Sequence, residues 1–160
     1  MRNVVSVGAG ITGTTCVAMT LASLADADPT LGHFVNVRMS SPPMRCEVGA
    51  DDSDGAGPNV VCQASGFSQA PTDSAPPGWH RDPSVLHRDQ AIITDSGQFI
   101  WRTANLGLSP PAQPDVTLAD RQTYHFQGWT IVPTGDGITF TNEVTGHGMA
   151  IGRGYNVKPL

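Results

Sequence analysis

An all-β fold, an antiparallel sandwich or small barrel with long Pro/Gly-rich loops, is what this chain predicts from residue 28 onward. Three observations point there. Short stretches alternate apolar and polar residues with a period of two, the mark of a half-buried strand. Glycine (18) and proline (13) are abundant while charged residues make up only 14%, a composition of turns and loops rather than of amphipathic helices. Strongly periodic helical segments are absent after residue 28. Full disorder is disfavoured, because Trp79, Trp101, Trp129, Phe99, Phe126, Phe140, Tyr124 and Tyr155 fall inside apolar runs.

Met1 to Ala27 has the layout of a secretory signal: a short positive start at Met1-Arg2-Asn3, a mostly apolar run over 4–24, and the small-x-small pattern Ala25-Asp26-Ala27. A signal-peptide helix followed by cleavage between Ala27 and Asp28 is expected, leaving a single β domain over 28–160. Retention of 4–25 as a membrane anchor is the second expectation, since about 20 residues suffice to span a bilayer; no basic cluster follows to stop transfer. Lipidation at Cys16 ranks third, because Gly13-Thr14-Thr15 lacks the usual Leu-like residue.

The same stretch contains Gly8-Ala9-Gly10-Ile11-Thr12-Gly13, a match to the glycine pattern that cradles a dinucleotide pyrophosphate. Three observations weigh against a flavin or nicotinamide enzyme built on Gly8, Gly10 and Gly13. The second strand of such a unit should end in an acid for the ribose hydroxyl; here the chain reads Val37-Arg38-Met39-Ser40-Ser41. No second βαβ unit follows. Thr12-Gly13-Thr14-Thr15-Cys16-Val17 is rich in poor helix formers. No cofactor is expected.

The strands follow in order. Phe34 to Met39 alternates, and Ser40-Ser41-Pro42-Pro43 turns it. Met44 to Val48 is a second strand with Met44, Cys46 and Val48 on one face. A polar loop over 50–58 leads to a third, Asn59 to Gln63. Ser65 to Arg88, with Pro71, Pro76, Pro77 and Pro83, should be a long surface segment anchored by Trp79. Ala91–Thr94 and Gln98–Arg102 form a hairpin around Asp95-Ser96-Gly97, with Gly97 at positive φ. Leu106 to Pro114 is a Pro-rich connection and Val116 to Leu118 a short strand. Gln122 to Val132 alternates as one strand with a bulge at Gly128. Pro133 to Gly137 turns it, Ile138 to Asn142 returns, Val144 to Gly148 turns again, and Met149 to Val157 is the last strand, interrupted by Gly152 and Gly154.

Removing residues 1–27 leaves two cysteines, Cys46 and Cys62. In an oxidising compartment such a pair bonds, and adjacent antiparallel strands would set the two side by side. Export and pairing support each other, and a secreted or cell-envelope location follows from both.

The run Val37 to Ser41 followed by Arg45-Cys46, the strand Val61-Cys62-Gln63, Tyr124 to Thr130, and Phe140-Thr141-Asn142 with Thr145 to Met149 together resemble a group of small, signal-bearing, two-cysteine actinobacterial proteins of uncharacterised function. The resemblance covers most of residues 28–157. It implies secretion and a disulfide-bearing β domain, and it carries no catalytic residues.

Net charge is −5 and Lys158 is the only lysine. Nothing in that balance attracts nucleic acid or anionic lipid; the arginines are scattered singly. Asp51-Asp52-Ser53-Asp54-Gly55 resembles a calcium loop, but aligning Gly55 with the EF-hand glycine puts Ala50 and Val61 at ligand positions. His33, His80, His87, His125 and His147 show no metal-ligand spacing. There is no Gly-x-Ser-x-Gly elbow, and Glu47 and Glu143 are the only glutamates. The weaker alternatives are a small dinucleotide-dependent (FAD/NAD) enzyme using Gly8, Gly10 and Gly13, and an extracellular hydrolase with an unrecognised site. Trp79, Trp101 and Trp129 could form a ligand platform, though Trp101 and Trp129 fit better in the core. The expectation is a non-catalytic binding or interaction module with an extracellular ligand or protein partner, and no stable membrane span after cleavage.

Overall fold

A computed structural model describes residues 34–40, 42–49, 58–72, 87–109 and 111–160. Among them there is no helix; the strands are β1 (Phe34–Ser40), β2 (Pro43–Gly49), β3 (Asn59–Gln63), β4 (Gln90–Thr94), β5 (Phe99–Arg102), β6 (Val116–Thr117), β7 (Tyr124–Phe126), β8 (Trp129–Thr134), β9 (Gly137–Asn142), β10 (Gly148–Gly152) and β11 (Val157–Pro159). They form a six-stranded sheet in the order β5-β4-β3-β2-β1-β6 and a five-stranded sheet in the order β11-β10-β9-β8-β7. The fold is all-β, as the alternating pattern predicts. Residues 1–33, on which the expected signal helix, the Ala27–Asp28 cleavage and Gly8, Gly10 and Gly13 fall, lie outside the described residues, as do residues 50–57 and Trp79.

Strand register shows why alternation was the right signal. In the first sheet Val35, Val48, Val60, Ile93 and Phe99 form one row across five strands, and Val116, Val37, Cys46, Cys62, Ala91 and Trp101 form the next on the same face. Side chains of neighbouring strands in register share a face. In the second sheet Tyr124, Ile131, Phe140 and Met149 form a row, beside Phe126 with Trp129 and Pro133 with Ile138, Ile151 and Val157. Buried side chains from both sheets belong to one hydrophobic cluster, with Trp129, Phe140, Ile93 and Ile131 fully buried.

The first sheet is unusual in being covered on its other face as well. That face carries the row Thr117, Arg38, Arg45, Gln63, Gln90 and Arg102. After β5 the chain turns back across it as a strap. Gln63 Oε1 accepts from Leu106 N at 2.9 Å and its amide donates to Ala104 O at 3.2 Å. Arg45 holds the next stretch, and Gln113 Nε2 donates to Phe34 O at 2.7 Å. The strap therefore crosses β3, β2 and β1 in turn. It explains one departure from expectation: β6 pairs with β1 in parallel rather than antiparallel.

Two other expectations are corrected. Gln122 to Val132 is not one strand. The chain reverses at Gln127 and Gly128, whose φ values of 51° and 76° are both positive, as a two-residue hairpin requires. In a continuous strand Phe126 and Trp129, three residues apart, would face opposite sides; the reversal puts both inside. Likewise Met149 to Val157 is two strands, reversing over Gly152–Asn156, where Gly152 N donates to Asn156 O at 2.9 Å. The turn expected over 133–137 shrinks to Gly135 and Asp136, because β8 runs to Thr134. Gly137 cannot be replaced there: its φ is +152° and a Cβ would lie 2.1 Å from the Ile151 carbonyl oxygen.

Residues 65–72 run along the surface, as expected, with Phe67 and Ala70 turned into the core. Phe67 is fully buried, edge-on to Trp101 at 5.3 Å and to Tyr155 at 6.1 Å between ring centroids. It joins the first sheet to the β10–β11 turn.

Candidate functional site

The Cys46–Cys62 disulfide is present, joining directly opposed residues of β2 and β3 with 4.0 Å between Cα atoms. Both residues are buried (2% and 0% exposed), so the bond is part of the core and out of reach of a redox partner in the folded state.

A cleft of about 260 Å³ opens where the end of β1 meets the turns of the second sheet. Met39 and Ser40 come from β1, Leu118 and Asp120 from the connection after β6, Pro133, Thr134 and Gly135 from the β8–β9 turn, and Arg153 from the β10–β11 turn. Each is positioned by local bonding. Leu118 N donates to Arg38 O at 3.0 Å, which prolongs the β6 pairing and fixes Leu118 beside Met39. Ala119 N donates to the Tyr124 hydroxyl at 2.8 Å. Arg121 takes φ of 60°, rare for a residue with a side chain, and its N–H donates to Pro133 O at 2.9 Å; this bends the chain so that Asp120 faces the cleft. Arg153 donates from Nε and Nη2 to Gly135 O, and its N–H donates to Asp136 O at 2.6 Å. The cleft thus has an apolar floor and a rim carrying one carboxylate and one guanidinium. Arg121, next to Asp120, is at positive φ; such strained backbone gathers at ligand sites.

A second cluster lies on the exposed face of the second sheet. His125 Nδ1 is 2.6 Å from Glu143 Oε1, and the Thr130 hydroxyl reaches both, at 3.0 Å to Glu143 and 3.2 Å to His125 Nδ1. The bond from His125 holds the Glu143 carboxyl below its usual range, helped by Thr130 against a smaller opposing effect of burial. The residue types suggest a hydroxyl nucleophile, base and acid. The geometry denies it: hydroxyl and carboxylate share one ring nitrogen, whereas a relay places them on opposite nitrogens.

The third cluster clamps the strap. Arg45 Nε donates to both Asp115 carboxylate oxygens at 3.0 Å, Nη2 to Ser109 Oγ at 2.6 Å and Nη1 to Gly107 O. Burial raises the Asp115 pKa, but the bonds from Ser109 and Arg45 outweigh it and hold the carboxyl below its ordinary value. Ser109 is bonded to Asp115 and Arg45 with no histidine among its partners, so the cluster serves the strap.

The described histidines do not gather. His87 lies at an isolated bridge with Thr72, His147 stacks over Gly97, and His33, His80 and the Asp51–Asp54 run fall outside the described residues. Among the described residues no group of three His, Cys, Asp or Glu side chains could hold a metal ion. Trp129 is fully buried and Trp101 packs against the core, so neither forms an open platform. Asp120 and Arg153 carry no local sequence signal; only the turns that bend around Gly135 and Gly152 bring them together.

Comparison with known protein families, with curated proteins and with solved structures gave no match.

Proposed function

We propose that this is an exported, non-catalytic binding module of the extracellular space or cell envelope, with the cleft around Asp120 and Arg153 as its binding site. The observation that carries the proposal is the buried Cys46–Cys62 disulfide. A bond of this kind belongs to oxidising compartments and is rare where glutathione and thioredoxin keep thiols reduced. The signal-like layout of residues 1–27, with cleavage between Ala27 and Asp28, agrees with it, as does the resemblance to small exported actinobacterial proteins. The hydrophobic cluster shared by the two sheets supports face-to-face packing as a sandwich. Binding is preferred to catalysis because, among the described residues, the His125–Glu143–Thr130 and Arg45–Asp115–Ser109 clusters are bonded in ways that leave no activated nucleophile. The net charge of −5 makes a small molecule or protein a better partner than nucleic acid.

The export half is tested by fusing residues 1–33 to a β-lactamase stripped of its own leader. Periplasmic resistance in a bacterial host is expected, with the junction after Ala27; sensitivity at normal expression would refute export. Steady turnover of a simple ester, glycoside or peptide by the purified protein, retained after repurification, would refute the binding half.

A further inference from the structure

We infer that the cleft takes a small zwitterion with an aliphatic body, a ligand of the α-amino acid class; this rests on the cleft being the binding site. The two rim charges are of opposite sign and lie on either side of Gly135: a Cβ on that residue would be 3.6 Å from Asp120 Oδ2, while its carbonyl oxygen accepts from Arg153. No ion pair joins Asp120 to Arg153 among the described residues. Each has a neighbour of its own instead, Arg121 at 3.8 Å and Asp136 at 3.6 Å, both long and open to solvent, where such pairs contribute little. Neither charge is committed to a strong ion pair, and the Arg153 guanidinium, anchored through Nε and Nη2 on the Gly135 carbonyl, has further N–H groups to offer a ligand.

The composition of the rim selects by charge. A simple anion meets the Asp120 carboxylate as well as Arg153; a simple cation meets Arg153 as well as Asp120. A neutral ligand with an ammonium and a carboxylate satisfies both at once. The floor of Met39, Leu118 and Pro133 suits a branched alkyl group and lacks the aromatic ring on which a sugar would stack. The cavity of about 260 Å³ corresponds to roughly eight or nine waters of liquid volume, room for a leucine-sized molecule and far too little for a dinucleotide.

The test is a titration of the oxidised protein, followed by amide chemical shifts, with L-leucine, isopentylamine and 4-methylpentanoate. Leucine is expected to shift Leu118, Asp120, Gly135 and Arg153 with a Kd on the order of 1 mM, and each singly charged analogue to bind about fivefold or more weakly. D120N should weaken leucine and, with the like charge gone, strengthen 4-methylpentanoate; R153Q should weaken leucine and strengthen isopentylamine. Both residues are surface groups, so an unchanged spectrum elsewhere confirms the fold of each variant. Equal binding of leucine and either analogue would overturn the zwitterion proposal. So would shifts at these residues with glucose or inorganic phosphate but none with leucine, while leaving the cleft as a binding site. Absence of shifts with every probe would overturn both.

Discussion

Replacing Arg45 with methionine isolates the clamp on the strap. The methionine keeps most of the apolar stem and removes four charge-assisted hydrogen bonds: two to Asp115, one to Ser109 and one to Gly107. Such bonds contribute about 1.5–3 kcal/mol when single, and breaking a fully buried ion pair costs about 3–5 kcal/mol. The pair here retains 21% and 15% side-chain exposure, so Asp115 can recover some hydration and keeps its bond from Ser109. A loss of about 2–3 kcal/mol is expected at neutral pH. Asp115→Asn should lose less, and a double-mutant cycle should show coupling of about 1–2 kcal/mol. The pH dependence has a definite sign. The fold holds the Asp115 carboxyl below its unfolded value of 3.8, so its contribution is complete above that value and is lost as pH falls below it. The gap between native protein and Arg45→Met should therefore narrow on acidification below about pH 4. Urea unfolding at several pH values measures both quantities. A loss under about 0.5 kcal/mol, or a gap that stays constant through the acid range, would refute the clamp.

Two further outcomes follow from the same structure. Replacing both Cys46 and Cys62 with alanine opens a loop of 16 residues, worth about 3 kcal/mol in the chain-entropy model; calorimetry should show Tm lowered by roughly 10–15 °C for a domain of this size, and a shift of a degree or two would contradict a structural role. Phe67→Ala should cost about 3–5 kcal/mol, because the ring is fully buried and bridges Trp101 and Tyr155; a cost typical of a surface site would show that Phe67 does not anchor this segment to the core.

Most of the strands were legible because their cause is local. β1, β2, β3 and β4 alternate or run apolar between Pro, Gly and Asp turns, and those turns set their ends. Cys46 and Cys62 were legible as a pair because two strands joined by one loop can hardly avoid becoming neighbours. What was not legible depends on distant partners or on weak local signals. Gln127-Gly128 reverses the chain, yet glutamine is not a residue that advertises positive φ as asparagine does. Phe67 stands among Gly, Ser and Pro, with no periodicity to mark it as core. The strap and the parallel β6 depend on Arg45 meeting Asp115, 70 residues away, and on Gln63 bonding a backbone 43 residues on. The cleft is further from view still, since Asp120, Gly135 and Arg153 meet only after the second sheet has folded around its turns. The shared nitrogen of His125 in the Thr130–Glu143 cluster is a geometric feature that no sequence motif could supply.

The most direct test is the intact mass, without reductant, of the protein recovered from outside the cells of its native host. The predicted species begins at Asp28 and is two protons lighter than its dithiol form, with Cys46 and Cys62 joined. A species that keeps residues 1–27, stays inside the cell and carries free thiols at Cys46 and Cys62 would contradict the account.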